Sequence, residues 1–226
     1  MGIKASQGKL VAVVELIMLK YLMSHQVTLT GVRTKQVAFE IVVIGTSLGG
    51  LSALKIILGN LPADFRVPIA IVQHRHKESN NTLQELLQES SSLPIREVED
   101  KEEILPGHIY LAPADYHLLV EPGHFALSTD EPVSYARPSI DVLFESAADV
   151  YSEQVIGVIL TGANQDGMQG LKKIKAYGGL TIVQEPATAQ SDIMPEAAIS
   201  AVAVDWILTL SNIASQMVKL CHSSRK

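Results

Sequence analysis

Cysteine is almost missing from this chain of 226 residues: Cys221 stands alone near the C-terminus, which excludes a disulfide framework and a cysteine metal cage. A reducing, cytoplasmic compartment is the expectation. A basic excess is missing as well. The net charge of −6 gives no electropositive face of the kind that nucleic acid or an anionic membrane surface requires, so neither is expected as the main partner. Long apolar runs are also lacking: the most apolar stretch, Leu10 to Met23, is broken by Glu15 and Lys20. It falls short of the ~18–20 uninterrupted apolar residues of a membrane span and has no small-residue cleavage site, so no integral membrane segment is expected. Internal repeats and low-complexity tracts are absent. What remains is an ordinary composition, 47% apolar and 19% charged, which suits one main domain with an ample core.

The most informative stretch runs Glu-Ile-Val-Val-Ile-Gly-Thr-Ser-Leu-Gly-Gly from Glu40 to Gly50. A short apolar strand here enters a glycine turn and restarts as a helix, the G-x-S-x-G arrangement that can hold the Ser47 hydroxyl at the carboxyl edge of a sheet beside free backbone N–H groups. Three readings stay open on this motif alone: a serine nucleophile, a phosphate cradle, and a tight turn with no chemistry. Against the cradle, the order G-x-G-x-x-G is broken by Ser47, and no Gly-Lys-Ser/Thr follows.

Short apolar runs alternate with helical patterns from Glu40 onward, predicting strands near 41–45, 68–73, 94–98, 155–161 and 179–183, with another near 203–208. The expected fold is α/β: a doubly wound, mostly parallel sheet in a three-layer αβα arrangement. Leu51, Leu54 and Leu58 share one helical face before Gly59 and Pro62, and Arg137-Pro138-Ser139 opens a helix carrying Ile140, Leu143, Phe144, Ala147 and Ala148. Within 104–128, strand-like pieces at 107–112, 117–120 and 124–127 are separated by Pro-Ala-Asp and Pro-Gly turns, which predicts an insertion of antiparallel ribbons. The expected organisation is an N-terminal extension at 1–39, a main domain at 40–212, and a helix end with a polar tail at 213–226. In the extension, Leu10, Val13, Val14, Ile17 and Leu22 suggest an amphipathic helix: a docking helix, a packing arm, or residues upstream of a start at Met23.

A nucleophile needs a base and an orienting acid. The run Pro68 to Gln73 ends at His74, which puts an imidazole at a strand's carboxyl end, where open α/β sheets keep their sites. There it can take the serine proton and return it to a leaving group; the plainer alternative is a histidine that caps the loop. His74-Arg75-His76 as a metal-binding pair is disfavoured, because no second histidine pair stands at a strand end, and no metal is expected. His108, His117 and His124 fall in the ribbon region as solvated or packing residues. The run Val155 to Leu160 enters Thr161-Gly162-Ala163-Asn164-Gln165-Asp166-Gly167, where Asp166 can fix the imidazole tautomer or simply cap a helix. Asp141, inside a helical pattern, and Asp115, in a ribbon turn, are weaker candidates. The order Ser47, His74, Asp166 differs from the Ser, Asp/Glu, His order of α/β-hydrolases.

Gly45 to Gly50, Gln73-His74, Arg137 to Phe144 and Leu160-Thr-Gly with Asp166-Gly167 together resemble the catalytic domain of the chemotaxis protein-glutamate methylesterases, the CheB family, over about 40–210. Pro106-Gly107, Ala112-Pro113 and Met194-Pro195 agree. The resemblance implies a cofactor-free hydrolase that removes the methyl ester from γ-glutamyl side chains of chemoreceptor-type signalling proteins, releasing methanol, and that in many members also deamidates glutamine. It places the nucleophile at Ser47, the base at His74 and the acid at Asp166. It places an oxyanion donor at the backbone N–H of Ala163, with the turn after Ser47, at Leu48, as a second source. Two departures from the family pattern bear on the cleft walls: Ala163-Asn164 stands where methionine is common, and Arg75 follows the Gln-His pair. The receiver domain that usually precedes this domain has no counterpart in 39 residues, so constitutive activity or control by a separate regulatory partner is expected. Two rival classes are a non-catalytic interaction module in a sensory assembly and a nucleotide-binding regulator using the 45–50 loop.

Overall fold

The computed structural model describes residues 38–75 and 82–223. The amphipathic pattern at 10–23 and His76 lie outside these residues. In chain order the strands are β1 (Ile41–Thr46), β2 (Ile69–Gln73), β3 (Ile95–Glu97), β4 (Ile109–Leu111), β5 (His117–Glu121), β6 (His124–Ser128), β7 (Val155–Ile159), β8 (Leu180–Gln184) and β9 (Trp206–Leu208). Seven of them form one sheet in the order β3-β4-β2-β1-β7-β8-β9. Every neighbouring pair in it is parallel.

A parallel strand covered on both faces must be apolar at consecutive positions, and β1 and β7 are buried at every residue. Alternate side chains then enter opposite cores, because the strand period is two. Val42 and Ile44 pack with Leu54, Ile57 and Leu58 of helix α1 (Gly50–Gly59), with Leu87 of α2 (Thr82–Gln88), and with the C-terminal helix. Ile41 and Val43 face the other core, with Ile140, Leu143, Phe144, Ala147 and Ala148 of α3 (Ile140–Tyr151), Leu171 and Ile174 of α4 (Met168–Ala176), and Met194 and Ala198 of α5 (Ile193–Ala201). Three layers result, as the alternation predicts. Helix α6 (Leu210–Ser223) carries the described part, 213–223, of the expected helix end and tail, and buries Ile213, Ala214, Met217 and Cys221 against the first core. Burial pushes the Cys221 thiol up to about 12, which leaves it unreactive.

One expected ribbon belongs to the main sheet. The sequence pattern predicts an antiparallel piece at 107–112, but Ile109–Leu111 runs parallel between β2 and β3. The physical reason is two-sided burial: Ile109 and Leu111 enter one core and Tyr110 the other, which a one-sided ribbon cannot provide. The Pro106-Gly107 turn ahead of it does not close a hairpin. It directs the chain alongside β2, where Gly107 N–H donates to Arg66 O and Ile69 N–H to His108 O. The antiparallel ribbon is β5 with β6, closed across Pro122-Gly123 with Glu121 opposite His124. It lies on the α3 side, where the Ser146 hydroxyl accepts from Val120 N–H.

Gly45 shows how tightly the first turn is built. A Cβ on this residue would run into the Ile140 side chain at the start of α3. Gly45→Ala is therefore expected to lower stability by about 1–3 kcal/mol through overpacking. A urea melt of the variant beside wild type checks it, and an unchanged midpoint would show that α3 yields at no cost.

Candidate active site

The strand order reverses at β1: the chain leaves β1 toward β2 on one side, whereas β7 leads on to β8 on the other. Open α/β sheets place their ligands in the crevice outside the carboxyl ends at such a point. The turns that meet there are 46–50 after β1 and 160–167 after β7, and the end of β2 lies alongside, with Thr46 opposite Gln73. Ser47 and His74 are thus the next residues along two adjacent parallel strands.

The backbone at this edge is tied from several directions. Ser47 N–H donates to Thr161 O at 3.0 Å, and the Thr46 hydroxyl donates to the same oxygen at 2.8 Å. The Gln73 side-chain amide donates to Ser47 O at 2.9 Å and to His74 O at 2.8 Å, so one side chain clamps both turns. His74 N–H closes the set on Thr46 O at 3.0 Å. At the far side of Ser47, Gly49 adopts φ +84° to start α1, a conformation that only glycine takes without strain.

His74 Nε2 lies 2.8 Å from Asp166 Oδ2, and the Asp166 side chain is fully buried. This carboxylate sits at the N-terminus of α3. Oδ2 also accepts from Ile140 N–H at 2.7 Å, while Oδ1 accepts from the Ser139 hydroxyl at 2.9 Å and from the N–H groups of Asp141 and Gly167 at 3.0 Å each. Burial alone would raise its pKa. The hydrogen bonds from His74, Ile140 and Asp141 outweigh burial and hold the carboxyl below the usual carboxylate range, helped by the positive end of the helix dipole. An ionised carboxylate only accepts, so the hydrogen-bond network assigns the imidazole proton to Nε2 and leaves the lone pair on Nδ1.

The weaker candidates fall elsewhere. Asp141 Oδ1 accepts from Gly170 N–H at 2.7 Å, at the start of α4, and Asp115 pairs with Arg137 at 2.7 Å. His108 and His124 rest on the carbonyls of Pro106 and Pro122. His117 is buried: its Nδ1 accepts from Ser139 N–H at 3.2 Å, so its Nε2–H faces Glu131 O at 3.2 Å. It stands one step behind Ser139, in a supporting place. Arg75 turns away from the serine, donating to Glu97 at 2.7 Å and Ala112 O at 3.0 Å. The N–H groups of Leu48 and Ala163 make no hydrogen bond among the described residues, and both residues are exposed beside the Ser47 turn. Three functional contacts carry no signal in the sequence: Gln73 as a clamp, Ser139 as an Asp166 partner, and Asn164, whose amide reaches His74. Gln73 and Ser139 were in view only as letters of a motif.

Asp141 carries a separate consequence. Burial, together with the Asp166 charge, lifts its carboxyl to about 6, above the ordinary 3.8. A group whose folded pKa is raised contributes stability below its unfolded value, and that contribution is lost as pH rises through the folded one. Asp141→Asn keeps an oxygen for Gly170 N–H and has no proton to lose. It should be more stable than wild type at pH 7.5, by on the order of 2 kcal/mol, with the gain disappearing near pH 3.5. Urea melts at the two pH values measure this, and equal differences at both would refute it.

A hydroxyl, an imidazole and a buried carboxylate gathered at the carboxyl edge of a doubly wound parallel sheet define the class: an α/β carboxylic ester hydrolase. Comparison with known proteins narrows it. The family model described as CheB methylesterase matches residues 42–217. A Leptospira interrogans relative is 50% identical over 183 residues, covering 80% of this chain and 95% of its own length. A Thermotoga maritima relative, named protein-glutamate methylesterase/protein-glutamine glutaminase, is 36% identical over 81% of this chain, which spans 55% of that longer protein. The crystal structure of the Thermotoga maritima CheB methylesterase catalytic domain matches 81% of this chain and 100% of its own, with a TM-score of 0.78 at 36% identity. The chain belongs to the CheB methylesterase family.

Proposed function

We propose that this protein hydrolyses γ-glutamyl methyl esters on a chemoreceptor-type signalling protein, through an acyl-enzyme on Ser47. The observation that carries the proposal is the His74–Asp166 pair, 2.8 Å apart, with Ser47 and His74 each one position beyond the register pair Thr46–Gln73. Ser47 Oγ attacks the ester carbonyl carbon as its proton passes to His74 Nδ1, and the charge formed on Nε2–H and Nδ1–H is met by Asp166. The carbonyl oxygen becomes an oxyanion, for which the unengaged N–H groups of Ala163 and Leu48 in the two turns can serve as donors. The C–O bond to the methoxy group then breaks, that oxygen takes the proton from Nδ1, and methanol leaves. Water repeats the sequence on the acyl-enzyme, giving glutamate and free Ser47.

The same steps applied to a glutamine side chain release ammonia, in keeping with the double name of the Thermotoga maritima relative. The non-catalytic alternative is favoured by no observation, since all three side chains are present and two are already paired. The test is methanol release from a methyl-esterified receptor, run beside a fluorophosphonate probe with the labelled peptide sequenced. Label on the peptide containing Ser47 together with methanol release supports the proposal. Release without label at Ser47, or no release and no label, overturns it.

A further inference from the structure

Asn164 lies in the turn between β7 and α4 and is half-buried. Its Oδ1 accepts from Asp166 N–H at 3.2 Å, and its Nδ2 lies 3.3 Å from His74 Nδ1. The orientation of this amide is fixed by chemistry. A backbone N–H can only donate, so the atom facing it is the oxygen, and the atom facing the ring is the NH2 group, which can only donate. Two independent constraints therefore meet on one imidazole. Asp166 requires the proton on Nε2, and Asn164 requires a lone pair on Nδ1.

Nδ1 is the nitrogen that must receive the Ser47 proton, and in this structure the Ser47 hydroxyl makes no hydrogen bond to it. The lone pair is already engaged. We infer that Asn164 is a positioning residue that occupies the proton-accepting nitrogen of His74 in the empty site, so that Ser47 has to displace its amide before attacking. The inference rests on Ser47 as nucleophile and His74 as base. While the amide donates to Nδ1, that nitrogen cannot accept a proton from another donor along the same lone pair. The latch thus holds the correct tautomer ready while it restrains the serine. Among the described residues, the other charged groups around the ring are Asp166 on Nε2, with Asp141 behind it at the α3 N-terminus, and Arg75, whose guanidinium is drawn to Glu97. None of these is altered by changing Asn164.

Asn164→Ser separates the two contacts. A serine hydroxyl at this position can still accept from the N–H two residues on, preserving the turn, but it is too short to reach the ring. The measurement is the second-order rate of Ser47 phosphonylation by a fluorophosphonate as a function of pH. Loss of the donor on the proton-accepting nitrogen should raise the upper plateau about three- to tenfold and place the acid limb of the profile at higher pH than in wild type. A second variant, Asn164→Asp, keeps the turn acceptor and the size but sets a carboxylate against Nδ1, so its acid limb should lie higher again. Acid limbs in the order wild type, Ser, Asp, with a raised plateau in Asn164→Ser, support the latch. A plateau at or below wild type in Asn164→Ser, or any other order of limbs, overturns it. Wild type that is never labelled at Ser47 removes the nucleophile reading itself, whereas labelled wild type with an unchanged Asn164→Ser removes only the latch.

Discussion

Ser47→Ala should reduce methanol release by about 10⁴- to 10⁶-fold in kcat while leaving KM nearly unchanged. In the proposed scheme the hydroxyl supplies the bond that becomes the acyl-enzyme, so its loss removes a path and not a contact. It supplies little ground-state binding, because the turn around it is held by backbone: Ser47 N–H on Thr161 O, and Ser47 O on the Gln73 amide. Alanine leaves both intact. The fold should therefore survive, with a melting temperature close to that of wild type. His74→Ala should cost a similar factor, and the double variant little more than either alone, since the two groups act as one unit. In the same scheme, whatever rate remains is assigned to binding and to the backbone donors proposed at Leu48 and Ala163. A single-turnover assay with radiolabelled methyl ester gives all three numbers. Multiplicative losses in the double variant would mean that serine and histidine serve different steps, and would sink the acyl-enzyme scheme.

How these groups come together was legible in the sequence to the extent that local chemistry marks it. An apolar run that stops at a glycine turn announces a strand end, as before Ser47 and Asp166, and a third apolar run stops at the polar Gln73-His74. Parallel topology does the rest, because all strand ends of one sense lie on one edge. The two sides of the sheet were equally readable, since Ile41, Val42, Val43 and Ile44 are too continuously apolar for an exposed strand. Side-chain partners were not legible. Ser139 and Asp166 are 27 positions apart, Gln73 and Ser47 26, and Asn164 and His74 90, and no local propensity encodes such a pairing. The placement of Ile109–Leu111 failed for a related reason. Three residues carry too little periodicity to separate a buried parallel strand from a ribbon, and the Pro-Gly turn before them signals a hairpin that the chain does not make.

Asp166→Asn is expected to be the most damaging single-atom exchange in the molecule, because five donors converge on this side chain. An asparagine has one acceptor oxygen and one donor nitrogen. With the nitrogen in the Oδ2 place it opposes Ile140 N–H, and the imidazole can respond only by moving its proton to Nδ1, the nitrogen that must accept from Ser47. With the nitrogen in the Oδ1 place it opposes the N–H groups of Asp141 and Gly167 instead. The first arrangement should lower kcat by about 10⁴-fold through the wrong tautomer. Either leaves buried donors unpaired, at a cost of about 1–3 kcal/mol each. The pH dependence distinguishes this from ordinary overpacking. The native pKa of Asp166 is lowered, so its contribution to stability is present above the unfolded value near 3.8 and is lost as pH falls through the native one. Wild type should therefore exceed Asp166→Asn in melting temperature by the most at neutral pH, and the gap should narrow steadily below pH 4. A gap independent of pH would mean that packing, not the charge on this carboxylate, holds the turn against α3, and would withdraw the electrostatic account of the site.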